Sequence, residues 1–249
     1  MPPLLEARRL QKRFGARVVL EDVSLGVEAG QLVGIMGPNG AGKTTLFNVL
    51  TGRHRPDRGR VLLGGEDVTG LPPRLIARKG IARSFQLMNL FDSWSALDNV
   101  LIALPETRAR GFEILAELHA DRAAVDKAAA VLERVGLGGK GNGPAGGLSY
   151  GDRRALEIAV ALAAEPKVLC LDEPTSGLGT AATVRLAGLV RELKGRYGLI
   201  VIEHDMRFLF SLADRIAVIH WGQVIAEGTP DELVADPWVR ASRLGEAAA

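Results

Sequence analysis

Cysteine is almost missing from this chain. Cys170 is the single thiol, which excludes an intramolecular disulfide and fits a reducing compartment. It lies in an apolar run and reads as a small buried hydrophobe. Excess charge is missing too: the formal net charge is +2, and the basic residues are scattered. A dedicated nucleic-acid binder would mass them into a stripe. No stretch reaches the roughly 18 uninterrupted apolar residues of a membrane helix. The opening Met1-Pro2-Pro3-Leu4-Leu5-Glu6-Ala7-Arg8-Arg9 meets charge too early for the apolar core of a signal peptide. A soluble, cytoplasmic chain is therefore expected, with any membrane part of its work supplied by another polypeptide. Internal repeats and low-complexity linkers are absent as well.

What is present is a substantial core. Of 249 residues 47% are hydrophobic, enough for one large domain or a core with a subdomain. Leu4–Leu10, Val18–Leu20 and Ser24–Val27 read as short strands before a turn at Ala29-Gly30. Gln31–Met36 runs straight into a glycine loop, and Thr44–Leu50 continues as a helix. Arg60–Leu63 followed by Gly64-Gly65 suggests a hairpin strand. From about Asp92 to Ala164 the texture turns to Ala, Leu, Glu and Arg at helical spacing. Helices are expected over Ala123–Val135, ended by Gly136, and over Tyr150–Ala164. Between them Gly138–Gly147, six glycines in ten residues, is a loop. Then strands at Val168–Leu171, Leu199–Ile202 and Ile216–Ile219 alternate with helices at Ala181–Lys194 and Met206–Leu212. Such near-continuous apolar strands predict a mostly parallel sheet buried on both faces, with a helical insertion between its halves.

The loop is Gly37-Pro38-Asn39-Gly40-Ala41-Gly42-Lys43-Thr44-Thr45, a match to the phosphate-binding pattern G-x-x-x-x-G-K-[ST] in its required strand-to-helix setting. Glycine-permitted backbone N–H groups wrap nucleotide phosphates there, and the helix N-terminus adds its positive dipole end. Lys43 is expected to reach the β- and γ-phosphates and the Thr44 hydroxyl to ligate Mg²⁺. Asp172 and Glu173 end a buried apolar strand. One carboxylate there can hold Mg²⁺, directly or through water, and the other can polarise an attacking water. Without the loop, the same acids read equally well as a helix cap or a surface turn.

Leu148-Ser149-Tyr150-Gly151-Asp152 carries a family resemblance. The chain resembles the ATP-binding subunits of ATP-binding-cassette (ABC) transporters, whose signature is Leu-Ser-Gly-Gly-Gln, over Leu5 to Gly245. Physically, Ser149, the backbone at Gly151 and the helix N-terminus behind them offer hydrogen bonds to a γ-phosphate. The segment alone could equally be a plain serine cap. In the family the phosphate belongs to nucleotide held on the opposite subunit, so each site is half built. The resemblance implies an α/β fold: a RecA-like P-loop core with a mostly parallel sheet, an N-terminal antiparallel β subdomain and an inserted α-helical subdomain. Its division would be core 1–91 and 165–249 with helices over 92–164.

Smaller elements follow from the same resemblance. Phe14 matches the aromatic that stacks on adenine, and Gln86 the glutamine that reaches Mg²⁺ and the attacking water. His204 matches the histidine that contacts the γ-phosphate, and Ser176-Gly177-Leu178-Gly179 the loop that crosses the dimer seam. The implied catalytic set is Glu173, His204 and Lys43. The implied metal set is Thr44, Gln86 and Asp172. Three positions depart from the pattern: Tyr150 replaces a glycine, Asp152 the signature glutamine and Gly179 an aspartate. An acid at Asp152 should repel a triphosphate unless it caps the helix or pairs with Arg153 or Arg154.

Gly80–Gln86, Leu90-Phe91, Asn99-Val100, Leu156–Ala159, Glu203–Met206 and Ala226–Pro230 look like the ATPases of branched-chain, or hydrophobic, amino-acid importers. The partners implied are two membrane permeases, a second copy or related ATPase, and indirectly a solute-binding protein. Peripheral attachment to the inner face of the cell membrane follows, with no nucleic acid. The rival is a cassette ATPase without a transport role, such as an iron–sulfur assembly accessory. A P-loop kinase would leave the signature and Gln86 unexplained.

Overall fold

The computed structural model describes residues 3–84, 89–109 and 119–236, so Gln86 lies outside the described residues. The chain opens with β1 (Leu5–Phe14) and β2 (Arg17–Val27), then β3 (Leu32–Met36), α1 (Lys43–Leu50), β4 (Arg58–Leu63), β5 (Glu66–Asp67), α2 (Pro73–Lys79) and β6 (Ile81–Arg83). The insertion brings α3 (Ala96–Leu101), α4 (Arg122–Arg134) and α5 (Tyr150–Ala163). The chain then returns through β7 (Val168–Asp172), α6 (Thr180–Leu193), β8 (Gly198–Ile202), α7 (Met206–Phe210), β9 (Arg215–His220), β10 (Gln223–Gly228) and α8 (Pro230–Ala235). Strands β2-β1-β4-β5 form an antiparallel sheet, and β10-β9-β3-β8-β7-β6 a second sheet, parallel except for β9 with β10.

The short N-terminal strands expected from the sequence join into one long hairpin. Leu5, Ala7 and Leu10 are all buried although Leu10 is out of step with the first two. A register shift lies between Ala7 and Leu10, and Arg9 there takes a left-handed φ of 46°. An extra residue of this kind resets the alternation, and a period-2 reading cannot anticipate it. The insertion matches expectation more closely. In α4 the buried residues Ala124, Ala128 and Leu132 fall four apart, Asp121 accepts from the Ala124 N–H at the start, and Gly136 follows the end at φ 76°.

The parallel sheet has a core on each face. Val33, Ile35, Cys170, Ile200, Ile202, Ala217 and Ile219 pack with α1 and the antiparallel sheet. Leu169, Leu171, Leu199, Val201, Ile216 and Val218 pack with α5, α6 and the inserted helices. Successive residues of β7, β8 and β9 therefore serve opposite cores, as a sheet covered on both sides requires. Burial pushes the Cys170 thiol up to about 12, so it is an inert part of that packing.

Candidate nucleotide site

The phosphate loop leaves β3 at the carboxyl edge of the parallel sheet and closes on α1. Two of its glycines are sterically required. A Cβ at Gly37 (φ 148°) would lie 2.0 Å from the Ile219 carbonyl oxygen, and one at Gly42 (φ 108°) 2.7 Å from that of Val19. The Gly222 N–H, in the β9–β10 turn, donates to the Ala41 carbonyl at 2.9 Å and so braces the loop from outside. Lys43 is only 6% exposed, and its ammonium donates to the carbonyls of Gly37 at 2.7 Å and Pro38 at 3.0 Å. Desolvation pushes its pKa below the ordinary lysine range, against the upward pull of the Glu173 and Asp172 charges.

A cleft of about 290 Å³ opens over this loop, lined by Phe14, Asn39, Gly40, Ala41, Gly42, Lys43, Thr44 and Thr45 together with Glu173 and His204. Phe14 is 45% exposed at the end of β1, edge-on to His54, and leaves ring surface open to a ligand. Across the cleft His204 Nε2 lies 2.9 Å from Glu173 Oε1. Glu173 holds a left-handed φ of 47°, unusual for a residue with a Cβ. The parallel fold thus brings together the loop, the aromatic, the strand-end carboxylate and the histidine that the sequence singled out.

Two groups behind the cleft were not singled out from the sequence. Arg83, at the end of β6, donates to Asp172 Oδ2 at 2.6 Å, with side-chain exposures of 7% and 2%. The same guanidinium donates to Asn48 Oδ1 of α1 at 2.6 Å. Asp172 is therefore tethered through one carboxylate oxygen. Glu203 is also buried, and its carboxylate accepts backbone N–H groups from Thr175, His204 and Asp205. Both are charged residues next to strand ends. That position hinted at function, but only the fold reveals their partners.

The signature segment lies elsewhere: neither Ser149 nor Gly151 lines the cleft. Ser149 caps α5, its hydroxyl accepting from the Asp152 N–H and donating to Asp152 Oδ2 at 2.7 Å. Asp152 pairs with Lys140 Nζ at 2.6 Å. The expected partners are otherwise engaged, Arg153 with Asp92 and Arg154 with Glu157. The reason is geometric: Lys140 comes from the glycine loop that folds back over the N-terminus of α5, a return no sequence spacing encodes. Burial raises the Asp152 carboxyl, but the Lys140 and Ser149 hydrogen bonds outweigh it and hold it below the usual range. Tyr150 is half exposed and lies over Gly177, where an added Cβ would meet its ring at 3.0 Å.

For Mg²⁺ the expected donors among the described residues are the Thr44 hydroxyl, which lines the cleft, and the buried Asp172 carboxylate beside it. Among the described residues no three His, Cys, Asp or Glu side chains gather as a cage. That donor set suits an ion that takes one or two protein ligands and completes its shell with phosphates and water.

A glycine loop at the carboxyl edge of a parallel sheet, opening a helix, defines a P-loop nucleotide-binding fold. Comparison with known proteins narrows it. The sequence profile described as "ABC transporter" matches residues 20–176, and that described as "Branched-chain amino acid ATP-binding cassette transporter" matches residues 223–249. The chain is 42% identical to the high-affinity branched-chain amino acid transport ATP-binding protein BraF of Pseudomonas aeruginosa, over 98% of this chain and 99% of that one. It is 40% identical to LivG of Salmonella typhimurium, a protein of the same description, over 98% and 99%. Among solved structures, the ADP conformation of MJ1267, an ATP-binding cassette of an ABC transporter, superimposes with a TM-score of 0.86 at 32% identity over 98% of this chain and all of that one. The chain belongs to the ATP-binding subunits of ABC transporters and is an ATPase of that family. No helix among the described residues is long and apolar enough to cross a membrane.

Proposed function

We propose that this chain energises an importer for branched-chain amino acids, binding ATP over α1 and hydrolysing it once a second cassette closes on the nucleotide. The 2.9 Å contact between His204 and Glu173 at the mouth of the phosphate loop carries the catalytic half of this reading. Glu173 orients or deprotonates the attacking water, while Lys43 and His204 stabilise charge on the transferring phosphoryl group. Thr44, Asp172 and Gln86 hold Mg²⁺, which neutralises phosphate charge when bound. Residues 37–45 cradle the phosphates and Phe14 stacks on the adenine. Ser149 and Gly151 serve the nucleotide of the facing subunit. ATP then favours the closed pair, and loss of the γ-phosphate contacts releases it.

The described activities of BraF and LivG and the short profile over 223–249 support the branched-chain substrate class over an iron–sulfur accessory role. The partners are two permeases, a second copy or related ATPase and, indirectly, a solute-binding protein. The chain works on the inner face of the cell membrane. α5 forms with α2 and β6 a groove lined in part by Pro73, Ala77, Ile81, Leu90 and Val160 that suits a permease segment. A tagged pull-down from detergent-solubilised native membranes tests the reading. Recovery of two polytopic permeases and a related ATPase is expected, and recovery of soluble assembly factors alone would sink it.

A further inference from the structure

Three buried carboxylates stand close to charged neighbours or loops, and one is handled differently. Asp172 is answered by Arg83 and Glu157 by Arg154. Glu203, 3% exposed, has no cationic partner among the described residues. It accepts backbone N–H groups instead: Thr175 on Oε1 at 2.7 Å, and His204 and Asp205 on Oε2 at 3.0 and 3.3 Å. These donors belong to the two loops that carry the assigned catalytic side chains. Thr175 is two residues past Glu173, and His204 is itself the histidine.

The bonds close a ring. It runs from the Glu173 carboxylate to the His204 imidazole, along the backbone to Glu203, through its carboxylate to the Thr175 N–H, and back to Glu173. A second strut joins the loops where the Glu173 N–H donates to the Ile202 carbonyl at 2.9 Å. Glu173 sits at φ 47°, a conformation that persists only where its surroundings over-determine it. Bonds on both flanks of Glu173 do so here. We infer that Glu203 is a positioning residue for hydrolysis: it staples the Glu173 loop to the His204 loop, holds Glu173 in its left-handed conformation and aims His204 at it. The inference rests on the assignment of Glu173 and His204 made above.

Glu203→Gln tests it in the full-length chain, because the amide keeps the shape, halves the acceptors and sets an NH₂ against backbone donors. The phosphate loop is untouched, so affinity for a fluorescent ATP analogue, with and without Mg²⁺, is expected to stay within about twofold while kcat falls about tenfold or more. Combined with Glu173→Gln, the substitution should add less than about twofold to the loss, since both act on one step. A residue that merely stabilised the fold would weaken binding and turnover together and add its loss in the double variant. Turnover of Glu203→Gln within about twofold of the parent, beside a dead Glu173→Gln, overturns the inference and leaves the assignment standing. Near-normal turnover in Glu173→Gln overturns the assignment and the inference with it. Hydrogen exchange on the unsubstituted chain gives an independent reading. The Thr175 N–H should exchange as slowly as core strand amides, and exchange at loop rates would overturn the staple.

Discussion

The phosphate chemistry proposed for this chain rests on two helix N-termini, α1 behind the glycine loop and α5 behind the signature. At α1 Lys43 and Asp172 are buried, and the charged groups are braced. Lys43 rests on the carbonyls of its own loop, Asp172 is tethered by Arg83, and Glu173 meets His204 across the cleft. At α5 the capping groups are settled locally, with Ser149 and Tyr150 exposed. Ser149 and Asp152 cap one another, Lys140 covers the acid, and Tyr150 is half exposed. The difference teaches which part of the site one chain can complete. A buried, fixed array is preorganised for charge that develops against it. An exposed cap exchanges its partners at small cost and waits for a ligand held by something else.

Changes behind α1 should therefore register in the chemical step and in stability, and changes at α5 mainly on association. The largest effect is expected for Glu173→Gln, with turnover lowered roughly 10²–10⁴-fold and ATP binding retained, read by phosphate release beside equilibrium binding. Arg83→Met comes next. It strands the buried Asp172 carboxylate, and removing one partner of such a pair costs about 3–5 kcal/mol, visible as a lowered thermal midpoint. Ser149→Ala removes a helix cap worth about 1 kcal/mol. It should leave single-chain ATP affinity unchanged yet weaken ATP-dependent pairing, and an equal loss in both would dissolve the distinction between the two ends.

The smallest effect sharpens the account of Asp152. Its folded pKa is depressed, so its contribution is present above the unfolded value and is lost as pH falls through the folded one. Lys140 is half exposed, which limits the pair to at most about 1 kcal/mol. Asp152→Asn should flatten the stability profile below about pH 4 and change little at neutrality. Denaturant melts across acid pH check this.

Elements with a strong period or a fixed motif were legible in the sequence. The helices Arg122–Arg134, Tyr150–Ala163 and Thr180–Leu193 fall within a residue of expectation, because apolar spacing and the cap at Ser149 mark their ends. The short α2 and α8 escaped it, too brief to show a period although Pro73 and Pro230 open them. The edge strand β10 escaped because its half-buried QVIAEG alternates too weakly. The cleft was legible in Lys43, Glu173 and His204, since their chemistry rides on local motifs. Arg83 and Glu203 were not, because their meaning lies in contacts 89 and 28 residues away. Lys140 was hidden for the same reason: twelve residues of glycine-rich chain say nothing about where the turn returns.

In the proposed mechanism each chain holds half of a site that ATP completes. Sedimentation of Glu173→Gln tests it most directly, run with saturating ATP or ADP, alone and mixed with the ATPase recovered from native membranes. An ATP-dependent shift to the mass of two cassettes, absent with ADP, is the predicted result. A single-cassette mass in every mixture, with ATP demonstrably bound, would contradict it.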